Sequence, residues 1–171
     1  MRNKYYYLVA SLPRLSFDGE DFLSRDKFME ECRRWLSAED MKRLAGMDAE
    51  NPGINDGVPD IARRWKAFDM ETREILFGIR TKDSRAALKE NLYFSKEKIE
   101  GRDPLSAEKA IAKARWDFVE GEEPEYMFDV NWLMLYYVKL QILERLAQFT
   151  KEKGKETFQK LCEVKNEQKN W

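Results

Sequence analysis

Apolar residues recur along most of this chain at three- and four-residue intervals, the spacing of one helix face. Phe28, Met29, Cys32, Trp35 and Leu36 share such a face, and Ser24 stands before them as an N-cap. Ser37-Ala38-Glu39-Asp40 then reads as a capping box with Asp in the usual Glu position. Met41, Leu44 and Ala45 follow, and Gly46 ends that helix. Ile61, Trp65, Phe68, Ile75, Leu76 and Ile79 draw a longer stripe, which predicts a helix to about Arg80. Lys82-Asp83-Ser84 marks a break before another helix over 85–94. Asp103 caps and Pro104 starts the next helix, with Ala107, Ile111, Ala114 and Phe118 on its buried face and Gly121 as its stop.

The Glu120–Glu125 stretch contains Pro124 and reads as an acidic turn in water. The longest helix is expected from about Met127 to Lys153. It is apolar nearly all round between Trp132 and Val138, so it is either the central helix of the core or one covered by a partner. Gly154 breaks or kinks it, and a last helix carries Phe158, Leu161 and Cys162.

Tyr5 to Leu12 has the length of a strand or of a short helix. No second strand-like run exists to pair with it, and a lone strand would leave its backbone groups unsatisfied. It therefore reads as a buried helix ended by Pro13. The expected fold is all-α, an irregular bundle of about seven or eight helices with one long central helix and no sheet. The 171 residues make one helical domain. The 47–58 loop, with Pro52, Gly53 and Gly57, is the candidate lid or hinge, and would divide the domain into lobes 1–46 and 56–171.

Composition narrows the chemistry. There is no histidine, which removes Ser-His-Asp and Cys-His mechanisms and His-ligated zinc. The two cysteines, Cys32 and Cys162, lie far apart in sequence and read as buried thiols of a reducing, cytoplasmic compartment. Lys and Arg number 31 against 32 Asp and Glu, so no net charge draws the protein to nucleic acid or to an anionic membrane. The longest apolar run, Trp132–Val138, is too short to cross a bilayer. No phosphate-binding loop occurs. Glu30-Glu31 and Glu122-Glu123 are adjacent pairs that point apart on a helix, so no catalytic, cofactor-binding or metal-binding residue is assigned.

Arg33-Arg34 and Arg63-Arg64 each precede a Trp, and Arg115 precedes Trp116. With a balanced net charge, these arginines read as covers for indole edges rather than as stacking platforms for bases. Arg33-Arg34-Trp35 with Asp40-Met41, and Arg63-Arg64-Trp65 with Asp69-Met70, form a faint internal echo. The candidate interface residues are aromatic: Tyr5, Tyr6 and Tyr7, with Trp132, Tyr136 and Tyr137. Three consecutive tyrosines cannot all face a core, and an exposed aromatic patch marks a protein contact.

Four segments carry a resemblance. Tyr5-Tyr6-Tyr7-Leu8-Val9-Ala10-Ser11-Leu12-Pro13 opens the chain, and Asp103-Pro104-Leu105 leads into Ala114-Arg115-Trp116-Asp117-Phe118. Phe128-Asp129-Val130-Asn131-Trp132 precedes Leu140-Gln141-Ile142-Leu143-Glu144-Arg145, and Gly154 with Phe158 and Leu161 closes the pattern. Together they resemble an uncharacterised bacterial family encoded beside V-type (A-type-like) ATPase subunits. That family is similar in turn to the C (d-type) subunit, the helical funnel that caps the membrane ring and holds the central stalk. The resemblance implies a non-catalytic coupling subunit or assembly factor with no cofactor. Its implied partners are V-type ATPase stalk or membrane-ring subunits, and its place is peripheral to the membrane. The rival readings are a free-standing cytoplasmic helical scaffold or regulatory protein, and a helical enzyme using carboxylates and Mg²⁺.

Overall fold

The computed structural model describes residues 5–19, 21–47, 60–81, 92–95, 99 and 103–149. Within them the chain is all-helical, with no strand. Six α-helices appear: α1 (Tyr6–Ser11), α2 (Arg25–Trp35), α3 (Ala38–Ala45), α4 (Asp60–Thr81), α5 (Pro104–Glu122) and α6 (Val130–Gln148). A 3-10 turn over Glu123–Tyr126 joins the last two. The helix expected over 85–94 falls mostly outside the described residues, and Leu92–Ser95 are not helical. The expected C-terminal helix and nearly all of the 47–58 loop also lie outside them.

The caps are local chemistry and appear where the sequence puts them. Ser24 accepts from the Lys27 amide, Ser37 from the Asp40 amide, and Asp103 from the Leu105 and Ser106 amides. Gly46 closes α3. Pro13 follows α1 as expected.

Gly121, in contrast, does not stop α5. A glycine inside a helix costs only about 1 kcal/mol, and the helix runs on to Glu122 before Pro124 and the 3-10 turn end it. Nor does the final described helix begin at Met127. Phe128 adopts a left-handed backbone (φ 64°), and Asp129 caps α6 by accepting from the Asn131 and Trp132 amides at 2.8 and 3.1 Å. That left-handed residue ends any continuous helical path, so α6 has 19 residues and the longest described helix is α4, with 22.

Helix α6 nonetheless buries much of its surface within the chain itself. It packs against α2, α3, α5 and the 3-10 turn. Leu133, Met134, Leu135, Tyr136, Val138, Leu140, Ile142 and Leu143 are all buried. Phe28 of α2 lies against Tyr136 and Tyr137, with ring centroids 5.2 and 5.9 Å away. Gln141 donates to the Met47 carbonyl at 2.9 Å, and Arg145 pairs with Glu108 of α5 at 2.5 Å. Helix α4 joins through aromatic contacts, Phe68 stacking on Phe118 at 4.5 Å with Trp65 beside them. Buried residues from both sides of the 47–58 loop belong to one apolar cluster. No described helix is long and apolar enough to cross a membrane.

Candidate functional site

The three opening tyrosines separate by direction. Tyr5 is buried; its hydroxyl donates to Asp40 Oδ2 at 2.5 Å, and its amide donates to the Phe128 carbonyl at 3.1 Å. Asp40 also accepts from Ser37 Oγ and from Arg43. The expected capping box has thus turned inward, with the Asp40 carboxylate serving α1. Tyr6 and Tyr7 face solvent, at 49% and 74% exposure, in edge contact with each other. The Tyr6 ring lies 4.8 Å from Phe128, and Met127 beside it is 57% exposed. The result is an exposed aromatic corner built from α1 and the left-handed turn before α6.

The other three candidates separate as well. Tyr136 is in the core, its hydroxyl donating to the Pro13 carbonyl at 2.9 Å. Burial pushes its phenol up to about 12. Tyr137 is half-buried against Phe28. Trp132 stacks on Tyr136 and lines a cleft. Tyr5 and Tyr136 are therefore structural rather than interfacial, because each phenol needs a buried acceptor.

The cleft has a volume of about 240 Å³ and lies between α1, the segment after it, and the α5–α6 pair. Val9, Leu12, Leu15 and Trp132 form apolar walls. Lys139 of α6 reaches it almost wholly buried, at 5% exposure. Its ammonium is 2.8 Å from Glu123, 3.7 Å from Glu120 and 4.8 Å from the centre of the Trp116 ring. Burial pushes the Glu123 carboxyl above its usual range despite Lys139, which favours the ionised form. A second hollow, of about 380 Å³, flanks the same segment beside Phe17 and Trp116.

The acidic stretch does form a turn, but it is only partly in water. Glu122 is buried and accepts from Arg64 at 2.8 Å, and Glu125 accepts from the same guanidinium at 2.9 Å. Burial raises the Glu122 carboxyl too, against the pull of Arg64. Adjacent Glu122 and Glu123 do point apart, one to α4 and the other to α6. Of the arginines beside tryptophans, Arg34, Arg63, Arg64 and Arg115 pair with carboxylates. Arg34 reaches Glu30 and Glu31, and Arg115 reaches buried Asp69, which also takes Arg73. Among the described residues, Lys139 is the cation that stands over an indole, that of Trp116, and Trp35 is 53% exposed. Both aspartates of the faint internal echo, Asp40 and Asp69, are buried acceptors of arginine. Cys32 is a free, fully buried thiol pushed up to about 12 by burial, which makes it a poor nucleophile; Cys162 lies outside the described residues. Among the described residues no group of three or more His, Cys, Asp or Glu could hold a metal ion.

Residues 60–168, well over half of the chain, match the family described as "Protein of unknown function (DUF2764)". The chain belongs to this family. No curated protein and no solved structure matches it.

The DUF2764 match begins with α4 and takes in α5, Phe128 and α6, and so one wall of the cleft and half of the aromatic corner. The sequence reading missed Lys139, Glu120 and Glu123 as site residues. The available signal was Lys139 itself, a lone charge between Val138 and Leu140 in the most apolar helix. A lysine there needs a buried counter-ion, and the nearest acidic cluster in sequence supplies it. Phe128 was missed for a different reason: nothing in its residue type favours a positive φ.

Proposed function

We propose that this protein is a non-catalytic structural or coupling subunit, or an assembly factor, of a bacterial V-type ATPase. In this reading it works through helix-face contacts with stalk or membrane-ring subunits, at the cytoplasmic side of the membrane. The observation that carries the reading is the aromatic corner. Tyr6, Tyr7 and Met127 are exposed together on a turn fixed by the Tyr5–Asp40 and Tyr5–Phe128 hydrogen bonds. Large aromatic side chains exposed together suit a protein contact. The resemblance of the Tyr5–Pro13 opening and of the Phe128–Trp132 segment to the ATPase-associated family supports the same assignment, since both segments meet at this corner.

The test is a tagged pull-down of the full chain from native membranes in mild detergent, read by mass spectrometry. Stalk or ring subunits of the ATPase are expected, in stoichiometric amounts for a subunit and below that for an assembly factor. The Tyr6→Asp, Tyr7→Asp double variant should lose them while keeping the wild-type melting temperature. Recovery unchanged by that variant would remove the corner from the interface. Recovery of no ATPase subunit would overturn the reading and leave a free-standing helical scaffold.

A further inference from the structure

We propose that the cleft around Lys139 binds a free α-amino acid with a large apolar side chain. The ion pairing of Lys139 leaves part of its ammonium unused. Lys139 has three N–H donors. Glu123 takes one at 2.8 Å, and the Trp116 ring covers another side. Glu120 stands 3.7 Å away, beyond hydrogen-bond distance, with its side chain about half exposed at 51%. The gap between Lys139 and Glu120 thus has a donor on one side and an acceptor on the other, and it opens into the cleft.

An α-amino acid carries an ammonium and a carboxylate on one carbon. Such a molecule lies across the Lys139–Glu120 pair from the cleft side; its carboxylate accepts from Lys139 and its ammonium donates to Glu120. Four charges then alternate around a ring, and each hydrogen bond is charge-assisted. Arg14, at the mouth, has no hydrogen bond or ion pair among the described residues and lies within reach of the same carboxylate. The cleft's charged groups are two cations, Arg14 and Lys139, and two carboxylates, Glu120 and Glu123. They sum to zero, so the cleft gives no net attraction to a simple anion or cation and suits a zwitterion. Val9, Leu12, Leu15 and Trp132 supply the apolar wall for the side chain, and about 240 Å³ is room for one large amino acid rather than a peptide.

The experiment is calorimetric titration of the full chain with leucine, methionine and phenylalanine. 4-Methylpentanoate, which is leucine without the ammonium, and isopentylamine, which is leucine without the carboxylate, are run beside them. At least one amino acid should bind, and each single-charge analogue should bind roughly tenfold more weakly or worse. Glu120→Gln, a change at a half-exposed site, should weaken binding by roughly tenfold with the melting temperature unchanged. The proposal is overturned if none of the three amino acids binds at about 10 mM. It is equally overturned if the analogues match them, or if Glu120→Gln binds as wild type does. Its failure would leave the ATPase reading intact, since that reading rests on the aromatic corner.

Discussion

Gly121 sits inside α5, where its bare Cα faces the Tyr93 hydroxyl. A Cβ built there would lie 2.6 Å from that oxygen, closer than any real contact allows. Tyr93 is held by ring contacts with Phe68 and Phe118, so it cannot simply swing aside. Two effects compete in Gly121→Ala: the helix gains about 1 kcal/mol of propensity and the hydroxyl clashes. In the wild-type background the clash should win and the variant should be less stable. In a Tyr93→Phe background the nearest remaining ring carbon is 3.6 Å away, an ordinary contact, and the same substitution should stabilise. A double-mutant cycle by urea denaturation reads this reversal of sign directly. Equal effects in both backgrounds would refute it.

Single residues also show what the sequence could and could not reveal. Ser24, Ser37 and Asp103 were legible as caps because a cap answers to amides two or three positions away. The directions of Tyr5, Tyr6 and Tyr7 were not, because the choice depends on Asp40, 35 positions along the chain. Glu122 looked solvated for the same reason: Arg64, which buries it, is 58 positions earlier.

Among elements, α1 depends most on its neighbours. Six residues are too few for a helix to persist alone in water. Burial of Leu8 and Tyr5 holds it, along with the Tyr5 amide and hydroxyl. Tyr5→Phe keeps the ring and removes only the hydroxyl. Asp40 would retain Ser37 and Arg43, so the expected cost is about 1 kcal/mol, measured as a lower urea midpoint. An unchanged midpoint would mean that the Asp40 hydrogen bond is energetically neutral. The helix periods of α2, α4 and α5 were readable because each buries a stripe. The limits of α6 were not, because an all-apolar segment has no phase, and its start is set by the backbone of Phe128.

For the whole molecule, the acidic corner should leave a signature in pH. Glu122 and Glu123 are both held above the ordinary value of 4.5 by burial. The native state therefore takes up their protons more readily than the unfolded chain does. Stability from these two groups should rise as pH falls from neutral through their folded values to about 4.5. Asp103 acts in the opposite sense and lower down. Hydrogen bonding with Ser106 holds it below 3.8, so its contribution is present above that value and lost as pH falls beneath it. Thermal melts from pH 7 to about pH 5 should be flatter for the Glu122→Gln, Glu123→Gln double variant than for wild type. Parallel curves would show that the two carboxyls titrate alike in both states.

The burial of α6 also bears on how the protein comes into being. Helices α2, α3 and α5 all rest on a helix that is synthesised after them. While the chain is growing, Phe28 has no Tyr136 or Tyr137 to cover it, and the faces of α2, α3 and α5 have no α6 to meet. The early helices leave the ribosome with apolar faces open to water and to neighbouring nascent chains. Assembly of this core waits for residues 130–148, so the helix made last among those described is the one on which the earlier ones close.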